Sequence, residues 1–373
     1  MLCSGIDVFS GSPITVGFNT NIDSIVESAG GASFLAPGFI DIQINGFLGI
    51  DFNNPAVTVE QINFALGGML ACGVTRCLPT VITGDPDNML ACLKTLRKAQ
   101  TPDSIIAGFH VEGPHIGAEE GPRGAHPLRW VRKPDLDEYN RWQDATDRQI
   151  RIVTVSPHWH GAPAYIAALA ADGVVVSIGH TGANADQISA AVDAGATMST
   201  HLGNGAHGVM RRHPNYLWDQ LAEDRLTASF IVDGIHLGKA FLTVGLRAKG
   251  LDRSVLITDA AAPAGAAPGR YRLGEQDVDL TPDDKVQLVG TERLAGSALK
   301  MHKGVANLVA LGGLSLADAV RLATVNPARA IRLEGRGQGL KPGETADLIA
   351  FQFIGGAVQI ERVYVAGQLR YQA

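Results

Sequence analysis

Cysteine is scarce in this 373-residue chain: Cys3, Cys72, Cys77 and Cys92 are the whole supply, and no two stand at C-x-x-C spacing. The pattern argues against a thiolate metal centre or a vicinal redox pair and reads as four reduced, mostly buried thiols. A basic excess is missing as well. With 31 Lys+Arg against 37 Asp+Glu the formal net charge is −6, so no broad phosphate-neutralising surface for nucleic acid is expected, although a local basic pocket is compatible with it. No window approaches the roughly 18 uninterrupted apolar residues of a membrane span. The opening MLCSGIDVFSGS lacks the charged and apolar regions of a signal peptide. The expectation is a cytoplasmic protein without membrane or nucleic-acid partners.

What is present suits a large core: 46% hydrophobic residues, 18% charged, and 44 glycines for many short turns. The chain is organised around Val174 to Asn204. Val174–Ile178 is a β-branched run of the kind that forms a buried strand and stops at Gly179-His180-Thr181. Asn184 can cap a following helix with Ile188, Ala191, Val192 and Ala194 on its apolar face, and Gly195 ends it. A second short run, Ala196–Thr200, delivers His201. Strand, helix and strand in about 30 residues is a βαβ crossover joining parallel strands. Each strand therefore ends in a histidine, and the two, 21 residues apart, become spatial neighbours at one barrel mouth.

The same alternation extends both ways. Strands are predicted at Phe39–Ile44, Val74–Thr80, Ile105–Val111, Ile152–Ser156, Leu226–Val232 and Val255–Thr258, with helices near Val59–Cys72, Pro86–Lys98 and Leu136–Thr146. With the two strands above, the count is eight. The fold expected is α/β, a (β/α)8 barrel over residues 37–339. Short β-prone segments at both ends, 1–36 and 340–373, bury little alone and are expected to pair into one small β-sandwich domain.

Strand ends three, five, six and eight supply Glu112, His180, His201 and Asp259. One carboxylate and two imidazoles make a three-ligand set for a divalent ion with a position left open. Such an ion turns water into a nucleophile at neutral pH and polarises a carbonyl oxygen. Asp259 reads as the group that takes a proton and returns it, with a role as fourth ligand the alternative. His126, on the long loop after strand three, can donate to a developing oxyanion. His236 is placed for binding. His158, His160, His207 and His213 read as loop residues, and His115, close to Glu112, has no assigned role.

At these residues the chain resembles the amidohydrolase superfamily and, more closely, the N-acetylglucosamine-6-phosphate deacetylases. The matching motifs are Pro37-Gly38-Phe39-Ile40-Asp41 with Gln43-Ile44-Asn45-Gly46, His110-Val111-Glu112-Gly113-Pro114, Gly179-His180-Thr181, Thr200-His201-Leu202, Asp233-Gly234-Ile235-His236-Leu237, Thr258-Asp259-Ala260, Ala295-Gly296-Ser297 and Asn326-Pro327-Ala328. Gln43 and Asn45 stand where many amidohydrolases carry His-x-His. The resemblance thus implies one ion per subunit on Glu112, His180 and His201, zinc first, with iron and manganese also tolerated. It also implies Asp259 as general base and then acid, Ala125 and His126 on the sugar and acetyl carbonyl, Asn204, Gly205 and Arg212 on a phosphate, and His236 with Leu294-Ala295-Gly296 on the sugar. A homodimer is implied too. The loop Asn204-Gly205-Ala206-His207 through Arg211-Arg212-His213-Pro214-Asn215 departs from the family pattern.

The reading is a metal-dependent hydrolase of an N-acetyl amino sugar phosphate, N-acetylglucosamine 6-phosphate foremost, releasing acetate. Its rivals are an amidohydrolase acting on a different or unphosphorylated N-acyl substrate, and a catalytically silent sugar-phosphate-binding protein.

Overall fold

In the computed structural model, which describes residues 1–28 and 30–373, eight parallel strands follow one another around the sheet in chain order: Phe39–Ile44, Val74–Ile82, Phe109–Glu112, Ile150–Val155, Val175–Ile178, Ala196–Ser199, Thr227–Ile231 and Ser254–Ile257. The ring is drawn shut between strands one and eight by a parallel bridge from Ile44 to Ala260. The two-residue period of the strands sorts their side chains. Ile40, Ile42, Leu78, Ile152, Val175, Met198, Ile231, Val255 and Ile257 form one inner cluster with Ala328 and Ile331. Neighbours such as Phe39, Cys77, Val153, Val176 and Ile178 join the large cluster shared with the surrounding helices.

The helix Ala185–Asp193 shows how local sequence sets an element. Asn184 and Gln187 form a reciprocal capping box, and Ile188, Ala191 and Val192 are buried on one face. Burying a side chain such as Ile188 stabilises by roughly 1.5–3 kcal/mol.

Strands from both termini form one continuous seven-stranded sheet, curled so that its two halves pack on each other as the layers of the expected sandwich, with Phe18 against Tyr364 at a ring-centroid distance of 5.2 Å inside a shared core. Phe34–Pro37 is the joint. It pairs in parallel with Leu2–Asp7 on one side and antiparallel with Leu348–Ile354 on the other, merging both ends of the chain into a single ladder. Buried Asp347 ties this sheet to the barrel, taking Arg76 Nε at 2.7 Å and the buried guanidinium of Arg336.

Between strand eight and the last helices the chain inserts a three-stranded antiparallel sheet, Gly269–Leu273, Gln276–Leu280 and Val286–Leu288, which sequence reading passed over. Its signal was the alternation of Tyr271, Leu273, Val278 and Leu280 about Gly274. All four cysteines are buried and unpaired. Among the described residues no helix is long and apolar enough to cross a membrane.

Candidate metal centre and substrate cavity

Glu112 is the last residue of strand three, and His180, His201 and Asp259 each lie two residues beyond strands five, six and eight. The latter three share an unusual backbone: φ is +50° at His180, +29° at His201 and +50° at Asp259. Non-glycine residues avoid this left-handed region, so three such residues at one mouth store backbone strain of order 1 kcal/mol or more each.

His201 Nε2 lies 2.8 Å and His180 Nε2 3.3 Å from the same oxygen, Oε1 of Glu112, and the two ring nitrogens are 3.0 Å apart. His126 Nε2 stands 3.3 Å from His180 Nε2. Glu112, His126 and His180 can also each direct a ligand atom to within 4.8 Å of one another, but the triangle with His201 is tighter. Tetrahedral ligands at 2.0–2.1 Å from an ion are about 3.3–3.4 Å apart, so a slight expansion of the 2.8–3.3 Å triangle would admit one.

Proton placement supports the same conclusion. His180 Nδ1 is 2.7 Å from the carbonyl of Pro122, which can only accept, so Nδ1 carries a hydrogen and Nε2 is the ring atom left to serve as a ligand. Nε2 faces a carboxylate oxygen 3.3 Å away, an approach that positive charge between the two groups makes favourable, whether a proton in the metal-free chain or a metal ion, and the donor set fits a divalent ion. Gly205 lets the loop pass this ring: a Cβ there would lie 2.7 Å from His180 Nδ1.

Burial alone would raise the Glu112 carboxyl, but the contacts from His180 and His201 outweigh it and hold it well below the usual range. Asp259 is pushed up to about 6, first by burial and then by the charge of Glu112. His126 is pushed down to about 3, first by burial and then by His180, and so stays neutral.

Gln43 and Asn45 serve as clips. Gln43 Nε2 donates to Glu112 Oε1 at 2.8 Å and to Asp259 Oδ1 at 3.2 Å, and Asn45 Nδ2 donates to Asp259 Oδ1 at 2.8 Å. Both amide nitrogens are thus spent on the two carboxylates, and a neutral amide is a poorer ligand for a second ion than the imidazole of a His-x-His pair.

Asn45, Glu112, His180, His201 and Asp259 line a cavity of about 200 Å³ with Gly124, Ala125, His126, Asn204, Gly205, His236, Leu294 and Gly296. His236 is oriented by Asp233, whose Oδ2 lies 2.6 Å from its Nδ1. Two expected contacts are not brought here. Arg212 is exposed on the 206–214 loop and does not line the cavity. Ala295 is buried with Leu273, Val278 and Val286 of the inserted sheet, its backbone N–H bonded to Val286 O at 3.0 Å. Conversely, Arg293 lines the cavity and went unnoticed in the sequence, where a lone arginine beside Leu294 carries no pattern.

The other histidines lie apart. His115 is buried against Trp142 and Tyr165, His207 pairs with Glu119 at 3.0 Å, and His213 is exposed.

A model of the Amidohydrolase family matches residues 34–370. The chain is 34% identical over 358 residues to the N-acetylglucosamine-6-phosphate deacetylase of Bos taurus, covering 92% of this chain and 84% of that protein. It is 31% identical over 341 residues to the N-acetylgalactosamine-6-phosphate deacetylase of Escherichia coli O157:H7, covering 91% and 88%. A solved structure of a mutant N-acetyl-D-glucosamine-6-phosphate deacetylase from Mycobacterium smegmatis, in complex with N-acetyl-D-glucosamine-6-phosphate, superposes with a TM-score of 0.91 at 34% identity, covering 100% and 99% of the two chains.

Proposed function

Since the chain belongs to the amidohydrolase family, we propose that it removes the acetyl group from an N-acetyl amino sugar 6-phosphate, N-acetylglucosamine 6-phosphate foremost, giving acetate and the free amine. The observation that carries this reading is the triangle of Glu112, His180 and His201 opening into the cavity that Asp259 and His126 also line.

Glu112, His180 and His201 would hold one divalent ion, which when bound supplies Lewis acidity for a water and an acetyl carbonyl. Asp259 accepts the proton of the attacking water and returns it to the departing nitrogen. Gln43 and Asn45 hold its carboxylate for both transfers. His126, kept neutral by burial, acts on the acetyl oxygen as an N–H donor rather than a proton source. His236, steadied by Asp233, and the Leu294–Gly296 segment meet the sugar, while Asn204 and Gly205 meet its phosphate.

We assign zinc first, with iron and manganese compatible with the same two-nitrogen, one-oxygen set. We also assign a cytoplasmic homodimer in which the exposed Arg212 serves the neighbouring chain. Relatives named for the galactosamine epimer match almost as well as those named for the glucosamine one, so both belong in the test. Metal-replete protein is offered N-acetylglucosamine 6-phosphate, N-acetylgalactosamine 6-phosphate and plain N-acetylglucosamine, and acetate is measured. Release from a phosphorylated sugar is expected. Binding without acetate, or indifference to the phosphate, would sink the proposal.

A further inference from the structure

We propose that Arg293 is this chain's own recognition residue for the anionic end of the substrate. The inference rests on the amino-sugar phosphate reading and names the group that reads the phosphate within a single chain.

Among the described residues that line the cavity, Arg293 is the only lysine or arginine; the remaining ionisable groups are Glu112, Asp259 and the four histidines 126, 180, 201 and 236. Arg293 begins the segment that carries the inserted sheet back to the barrel mouth. Leu288 donates to its carbonyl at 2.9 Å, and four residues on, Ser297 donates to the backbone oxygen of Asp259 at 2.9 Å. A chain of four residues spans at most about 14 Å. The Arg293 backbone is thus tethered to the barrel mouth, and its partly exposed side chain lines the same cavity as the proton-transferring carboxylate, as a substrate with acetamido and phosphate groups on different sides of one sugar ring requires.

The charge balance at that rim favours an anion. Glu120 accepts from Arg123 Nη2 at 2.9 Å and also pairs with Arg293, so one carboxylate faces two guanidinium groups. Glu120 is 67% exposed and the Arg293 side chain 37%. An ion pair so open to water contributes little. A phosphate dianion can displace Glu120 and take the planar fork of Arg293 in its place. The site is also tied to the catalytic loop, because Arg293 Nη1 donates to Gly124 O at 3.2 Å and Arg123 Nη1 donates to His126 O at 2.9 Å.

The test uses full-length, metal-loaded protein, with Arg293→Ala and the milder Arg293→Lys checked for folding by thermal melt. Inorganic phosphate binding is measured by calorimetry, and KM and kcat are measured on phosphorylated and plain N-acetyl sugars. Arg293→Ala is expected to weaken inorganic phosphate and to raise KM for the phosphorylated sugar by about 10- to 100-fold, with kcat within about threefold, while Arg293→Lys recovers part of the loss. The preference for phosphorylated over plain sugar falls by the same factor. A clamp that merely braces Gly124 would instead lower kcat on both sugars alike, and that result overturns the inference. So does inorganic phosphate binding that is absent in the wild type or undiminished in both variants. Acetate release from no sugar would refute the deacetylase reading alone, since the calorimetric comparison reads Arg293 without turnover.

Discussion

Asn45 donates from Nδ2 to Oδ1 of Asp259 at 2.8 Å, across the seam where strands one and eight close the barrel. This hydrogen bond orients the carboxylate and lowers its pKa against the effect of burial. Replacing Asn45 by Leu removes the donor. The expected outcome is a kcat about 10- to 100-fold lower, an acid limb of the pH profile displaced to higher pH, and a metal content unchanged by elemental analysis. Loss of the ion in this variant would instead make Asn45 a ligand.

Asp259 works as a base only when ionised. With its pKa pushed up to about 6 in the metal-free chain, and with a bound cation acting to lower it, kcat/KM should fall about tenfold per pH unit below a limb lying no higher than about pH 6. Asp259→Asn should retain the ion and lose about 10²- to 10⁴-fold in kcat. Full activity in that variant would remove the proposed proton path.

His115 offers a stability test away from the chemistry. It packs between Trp142 and Tyr165, and burial pushes it down to about 4. The unfolded chain takes up this proton near pH 6.5 and the folded chain only near 4, so stability is lost as pH falls through that window and is unaffected above it. Between pH 6.5 and 5 the loss is about 1.5 kcal/mol. His115→Phe should flatten that part of the curve in urea unfolding at the two pH values. An unchanged pH dependence would show that His115 is protonated in the native state.

Much of this was legible because it is local. The β-branched runs, the Asn184 cap and the 21-residue interval between His180 and His201 each follow from strand and helix periods, and they placed both histidines at strand ends. What sequence could not convey was direction. The positive φ of His180, His201 and Asp259 turns those side chains together over the mouth, and no residue type announces it outside glycine. Arg212 and Arg293 look alike as isolated arginines, yet one is exposed on the 206–214 loop away from the cavity lining and the other, at the end of the inserted sheet, lines the cavity. That sheet fell outside the strand-helix alternation used to find the barrel. Ala295 turns into it because its backbone N–H bonds to Val286.

The central claim is that Glu112, His180 and His201 grip a single divalent ion. Titrating metal-free full-length protein with Zn²⁺ by calorimetry, with bound metal counted by elemental analysis, tests it most directly. One ion per chain is predicted for the wild type, with affinity reduced at least about 100-fold in Glu112→Ala and in His201→Ala. Two tightly bound ions per chain, or undiminished binding in both variants, would contradict it.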